Sequence, residues 1–209
     1  MTIIAASLAA AGLASAQETS RTFDLSGFNR INVGTAIDVE VAVGPDYSVI
    51  VREPDGNFER LEVEVENGEL ELRRRGVDLF GSRNAPRYSA TVTTPALERM
   101  IVSTGSDARV RGVDSESFDI ISSTGSDLVI SGRCGVLTAN VSTGADLDAR
   151  GLECRIVDIN LSTGADAEVF ASERVDANIS TGADLDVYGG PEDVNHNRSI
   201  GGSVRVHRD

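Results

Sequence analysis

The pentapeptide Ser-Thr-Gly-Ser-Asp, or the same run with Ala in fourth place, recurs through the second half of the chain. Its copies begin at Ser103, Ser123, Ser142, Ser162 and Ser180, in steps of 20, 19, 20 and 18 residues. A unit of roughly 20 residues is too short to bury a core alone, so it must stack on copies of itself as a solenoid. The repeat therefore constrains architecture far more than it constrains chemistry.

Within one unit the apolar residues fall every second place. Before the motif run Phe118 and Ile120, Leu137 and Ala139, Val157 and Ile159, and Val175 and Ala177. After it come Leu128 and Ile130, Leu147 and Ala149, Ala167 and Val169, and Leu185 and Val187. A period of two is the strand period, with alternate side chains facing the core. No window has the helical period, and Val, Ile, Thr and Gly dominate. The expected fold is all-β: a single-stranded parallel β-helix with rungs of about 20 residues and a β-rich N-terminal part. Each rung is read as two short strands flanking the motif Gly, with a second turn near Gly112, Gly132, Gly151 and Gly189. Counting parity puts Asn140, Asn160 and Asn178, the motif Ser, and Asp107, Asp127, Asp146, Asp166 and Asp184 on the outside. The same count turns Thr104, Thr124, Thr143, Thr163 and Thr181 inward.

The rest of the chain divides around this repeat. Residues 1–16 carry no charge and end Ala14-Ser15-Ala16 before Gln17, the pattern of a secretory signal peptide. Residues 17–102 form an N-terminal β-rich part or capping rungs, and residues 103–209 the repeat β-helix with its C-terminal cap, so that 17–209 make one domain. Asn67-Gly68 between two alternating runs marks a hairpin. Arg73, Arg74 and Arg75 read as a solvated strand end, followed by a loop-like stretch through Gly81, Asn84 and Pro86. Ser199-Ile200-Gly201-Gly202-Ser203 reads as a degenerate sixth rung.

Charge narrows the partners. Acidic residues outnumber basic ones 33 to 19, giving a net charge of −14, which opposes binding to nucleic acid or anionic lipid. No stretch approaches the roughly 20 apolar residues of a membrane span. Export is expected, to the periplasm or the cell exterior. Cys134 and Cys154 each stand eight residues before a motif Ser. Equivalent places in adjacent rungs lie about 4.8 Å apart, within disulfide range; a bridge and a pair of free thiols both fit that spacing.

Further residues resemble a known family. Phe23-Asp24-Leu25-Ser26-Gly27-Phe28-Asn29-Arg30-Ile31 is similar to the opening of the auto-transporter adhesin head GIN domain family. So are the Val-rich strands ending at Asn67-Gly68, the Pro95-Ala96-Leu97 step, and the Ser-Thr-Gly-Ser-Asp repeats. The resemblance spans about residues 22–206. It implies an exported bacterial β-helical domain with an adhesin-like role and supplies no catalytic residues.

Three functions compete. The first is a non-catalytic adhesin-like or scaffold module that binds a protein or glycan at the cell envelope, with the Asp residues serving as turn formers. The second is calcium-dependent glycan binding, with Asp107, Asp127, Asp146, Asp166 and Asp184 as a cation ladder, since stacked carboxylates repel and calcium takes oxygen ligands. On the first reading no cofactor is needed; calcium is the one candidate. The third is a polysaccharide lyase, which needs a base; His196 and His207 are the only histidines and both lie in the tail. An ice-binding Thr array would need the five Thr hydroxyls exposed in a plane.

Overall fold

The computed structural model describes residues 19–76 and 87–207. The signal peptide read over residues 1–16, most of the loop-like stretch, and the last two residues lie outside the described residues. The N-terminal part contains β1 (Ser20–Phe23), β2 (Arg30–Val33), β3 (Ile37–Val43), β4 (Ser48–Arg52), β5 (Leu61–Glu66), β6 (Glu69–Arg74), β7 (Tyr88–Thr94) and β8 (Arg99–Ser103). Four long strands follow: β9 (Asp107–Ser123), β10 (Asp127–Ser142), β11 (Asp146–Ser162) and β12 (Asp166–Ile179). Then come β13 (Asp184–Tyr188), β14 (Asp193–Arg198) and β15 (Ser203–Val206). The chain is a parallel β-solenoid of about five turns.

Each rung bends at the motif, which separates a leading face from a trailing one. The leading face stacks β2, β8, the C-terminal halves of β9 to β12, and β14, all parallel. The trailing face stacks β3, the N-terminal halves of β9 to β12, β13 and β15, also parallel. Register is kept residue for residue on either side of the motif corner, so Asp107, Asp127, Asp146, Asp166 and Asp184 are successive partners.

In the four rungs that start at Asp107, Asp127, Asp146 and Asp166 the two short strands expected are one, extended through the second corner, with register irregularities between Ile130 and Gly132 and between Val129 and Ser131. In the rung that starts at Asp184 they are two, β13 and β14, parted at Gly189 and Gly190 as expected. In the other four the strand survives the corner because the ladder resumes immediately beyond it. At Gly132 (φ +138) a Cβ would stand 2.2 Å from the Val113 carbonyl oxygen, so this close approach requires glycine.

Apolar columns fill the interior. On the trailing face Val39, Ala108, Leu128, Leu147, Ala167 and Leu185 stack in register and are buried. On the leading face Ile31, Met100, Ile120, Ala139, Ile159 and Ala177 do the same. Each fully buried large aliphatic side chain contributes about 1.5–3 kcal/mol.

At the N-terminal end the two faces diverge and are capped. The trailing face continues through β7, parallel to β3, and then through the antiparallel strands β4 and β1. The leading face continues through β6, parallel to β2, and the antiparallel β5. Phe58 and Tyr88 pack together inside this cap, their centroids 6.4 Å apart. Arg73 and Arg75 are exposed at the end of β6, as read, and there Arg73 meets Glu62, Glu64 and Glu71 in the β5–β6 hairpin while Arg75 also meets Glu62. The Arg73 and Arg75 guanidinium groups hold the Glu62 carboxyl below the usual carboxylate range.

Cys134 and Cys154 are register partners on β10 and β11, their Cα atoms 4.5 Å apart, and are joined by a disulfide. The bridge closes a loop of sequence separation 20 between two adjacent rungs. Loop-closure entropy for that length corresponds to about 3 kcal/mol. Replacing both cysteines by Ser is therefore expected to lower unfolding stability by up to about 3 kcal/mol without changing the far-UV circular dichroism. Chemical denaturation of the oxidised protein and the double variant checks it.

Candidate functional site

The feature that distinguishes the surface is the motif corner, and its geometry starts from backbone sterics. Thr104, Thr124, Thr143, Thr163 and Thr181 have φ between +54° and +60°, and the following Gly residues have φ between +63° and +72°. Two successive left-handed residues reverse the chain sharply. Gly reaches that region freely, whereas a β-branched residue there costs about 1–2 kcal/mol. The strain is held by the neighbouring rung. The N–H of Gly105, Gly125, Gly144 and Gly164 donates to the carbonyl of Thr124, Thr143, Thr163 and Thr181 at 3.0–3.1 Å.

This reversal overturns the inward placement of the threonines. All five are exposed, and the residue two places on, Ser106, Ser126, Ala145, Ala165 or Ala183, is the one buried. Parity counting assumes an unbroken strand, and a left-handed pair breaks that assumption. The threonines form a single row along one corner, which is not the plane that an ice-binding array requires. The Ser-to-Ala change within the motif also gains a reason. Ser106 Oγ accepts from the Ile37 N–H at 3.1 Å, and Ser126 Oγ engages Ser122 Oγ at 2.9 Å and the Val102 carbonyl at 3.1 Å. A buried hydroxyl needs such partners; the later rungs carry Ala and bury no hydroxyl there.

The five Asp residues stand in register immediately after the corner, on the trailing face. The structure adds a sixth, Asp38, because Gly34-Thr35-Ala36-Ile37-Asp38 is one more corner. Val33 pairs with Val102 and Val39 with Ala108, and Thr35 and Ala36 have φ of +64° and +56°. The sequence reading missed it: 69 residues separate Asp38 from Asp107, with β4 to β7 inserted between, and only Thr and Asp of the motif survive. At the other end Ser203 takes the Asp position and its hydroxyl donates to Asp184 Oδ1.

Two further rows flank the corner. Two residues beyond the ladder stand Asp148, Glu168 and Asp186, which with Asp146, Asp166, Asp184 and Arg205 line a shallow acidic groove of about 340 Å³. On the leading face Asn160 Nδ2 donates to Asn140 Oδ1 and Asn178 Nδ2 to Asn160 Oδ1, both at 3.1 Å. Burial, reinforced by the charges of Asp127 and Asp166, pushes the Asp146 carboxyl above its ordinary value. Among the described residues no group of three or more His, Cys, Asp or Glu side chains is arranged to hold a metal ion. His207 Nε2 lies 2.6 Å from Asp186 Oδ1, and its ring stacks on Tyr188 with centroids 4.4 Å apart. Among the described residues neither histidine hydrogen-bonds a motif serine, so no nucleophile–base pair is assembled there. The corner offers periodic hydroxyl, carboxylate and amide groups for contact.

A family model described as "Putative auto-transporter adhesin, head GIN domain" matches residues 27–191. The chain belongs to this family. Among solved structures, a putative adhesin from Bacteroides fragilis shares the fold with a TM-score of 0.70 at 19% identity, over 90% of this chain and 96% of that one. A putative adhesin from Parabacteroides merdae has a TM-score of 0.51 at 11% identity, over 90% and 95%. No curated protein matches the chain.

Two expectations follow from the GIN-domain corner. Ala36 is the one non-glycine at the second left-handed position of the corners from Gly34 to Gly182, so Ala36→Gly is expected to raise stability by about 1 kcal/mol, read by denaturant unfolding. Asp146 has a raised carboxyl, so the folded state binds its proton more tightly than the unfolded chain does. Its ionisation opposes folding at neutral pH, and this penalty fades as pH falls toward the unfolded value. Asp146→Asn is therefore expected to stabilise by a few tenths of a kcal/mol at neutral pH and low salt, with the gain shrinking in high salt and at acid pH. Thermal melts across pH and salt measure both trends.

Proposed function

We propose that this chain is an exported, non-catalytic β-helix domain acting as an adhesin-like or scaffold interaction module at the cell envelope. The observation that carries the reading is the corner itself. Six rungs present a Thr and an Asp at one register, fixed by backbone hydrogen bonds from rung to rung. Such a row is rigid before any partner arrives, so little conformational entropy is lost on contact. The family to which the chain belongs, and the neighbours named as putative adhesins, support the same reading. The partner class is a protein or glycan surface, and the acidic charge favours one that is neutral or cationic.

A second reading, calcium-dependent glycan binding through the Asp ladder, is favoured by one observation. Burial raises the Asp146 carboxyl and the charges of Asp127 and Asp166 raise it further, and a bound cation would relieve that repulsion.

One experiment separates the two. Beads coated with the domain are tested for attachment to bacterial cells and to an array of neutral and amino glycans, with and without EDTA. The first reading expects attachment that persists in EDTA and is lost in a Thr124→Arg, Thr143→Arg, Thr163→Arg variant. The second expects attachment lost in EDTA and restored by calcium but not magnesium, with calcium also raising the melting temperature. Attachment to no surface would remove both.

A further inference from the structure

A sheet that does not close ends in edges, and an exposed edge offers unpaired N–H and C=O groups to any extended chain. Among the described residues this sheet has four terminal strands: β1, β5, β14 and β15, each with a single strand partner. They differ in how they meet that exposure.

Three of them are blunted. β1 has four residues, and its Arg21 sits on the core-facing side opposite buried Val51, its guanidinium 4.6 Å over the Phe58 ring. β14 carries His196 opposite Ala177 and Arg198 opposite Ile179, two polar side chains at places that are apolar in the rungs below. Inward-pointing charges and short strands are established ways of discouraging edge pairing. β15 is also only four residues long.

β5 is not blunted in this way. It has six residues, and its core-facing positions are Leu61, Val63 and Val65, all apolar and all only partly buried. Its outer positions are Glu62, Glu64 and Glu66, in a pairing that sets Glu64 opposite Glu71 and Glu66 opposite Glu69. Like charges directly opposite are destabilising. Arg73 bridges Glu62, Glu64 and Glu71, whereas Glu66 has no cationic partner among the described residues. The edge is thus apolar on one side and carries uncompensated negative charge on the other.

We propose that β5 is a docking edge that accepts an extended segment of a basic partner protein, in which apolar residues alternate with Lys or Arg. The added strand pairs its backbone with β5, packs its apolar side chains on Leu61, Val63 and Val65, and sets its cations beside Glu64 and Glu66. A second copy of this chain does not fit, because β5 against β5 would bring Glu rows together. This inference stands apart from the corner ladder, which lies elsewhere on the molecule.

The test uses the full chain and a short fluorescent peptide alternating Lys and Val. Saturable binding is expected, with hydrogen exchange slowed at the alternate amides of Leu61–Glu66 that face away from β6. A peptide alternating Glu and Val, and the Lys-Val peptide interrupted by Pro, are expected not to bind, because charge fails in one and backbone pairing in the other. Glu64→Lys with Glu66→Lys is expected to weaken binding about tenfold or more, and Glu66→Gln alone less. The Thr124→Arg, Thr143→Arg, Thr163→Arg variant should bind the peptide unchanged, which keeps failure at the corner distinct from failure at the edge. Four outcomes would overturn the proposal: no saturable binding, equal binding of the Pro-interrupted peptide, unchanged affinity in the double Lys variant, or, in the free protein, protection already present at the β5 amides that face away from β6.

Discussion

Everything in this molecule depends on a backbone hydrogen-bond ladder that does not stop at the corners. In most β-structures a tight turn interrupts the ladder, and the turn's polar groups are left to solvent. Here the glycine N–H of one corner donates to the threonine carbonyl of the next. The two faces and the bend between them are therefore stitched along the whole stack, and register cannot slip in one face without breaking the other. That constraint forces like onto like: whatever residue stands at a place in one rung meets its counterpart about 4.8 Å away in the next.

Much of the side-chain pattern follows from that enforced self-pairing. Apolar columns gain from it, because Leu on Leu or Val on Ala fills a narrow core. Asparagines gain too, since an amide is both donor and acceptor and can bond to its own kind, as Asn140, Asn160 and Asn178 do. Two cysteines placed in register become a cross-link between rungs. Aspartate stacked on aspartate gains little, and burial together with the charges of Asp127 and Asp166 raises the Asp146 carboxyl. Asp nonetheless recurs at six successive corners, unlike the fourth motif position, which is Ile37 at the first and Ser or Ala at the others. Nothing in the core requires the carboxylate, which faces solvent.

How far this was legible in the sequence depends on whether a residue's place is set locally or by the stack. The rung, its period and its alternating core could be read because Leu147 or Ile159 announces its side of a strand by parity alone. The corner threonines could not, because two left-handed residues reverse the chain and parity has no account of that. The expected break at the second turn is present at Gly189 but absent at Gly112, Gly132 and Gly151, where stacking on both sides carries the strand past the corner. Asp38 was hidden for a different reason: its repeat neighbour lies beyond two excursions of the chain, and the Gly of its motif has become Ala36. The exposure of Arg73 and Arg75 was legible, but not their pairing with Glu62, which belongs to a strand that only the hairpin brings alongside.

The same enforced pairing makes the ends of the rod chemically special. Inside the stack every rung is satisfied by its neighbours, so an interior edge can attract nothing further. Only a terminal strand retains unspent backbone, and its side chains decide what can use it. His196 and Arg198 occupy core-facing places where the rungs beneath them have Ala and Ile, which makes a further rung of the same kind unfavourable and ends the repeat. β5 ends the other edge of the leading face with apolar residues inward and glutamates outward, a composition that disfavours its own copy without closing the edge to a cationic strand. Growth of the rod by self-stacking is thus opposed at both ends of that face, once by polar side chains at core-facing places and once by like charge turned outward, and only the second leaves room for a partner of opposite sign.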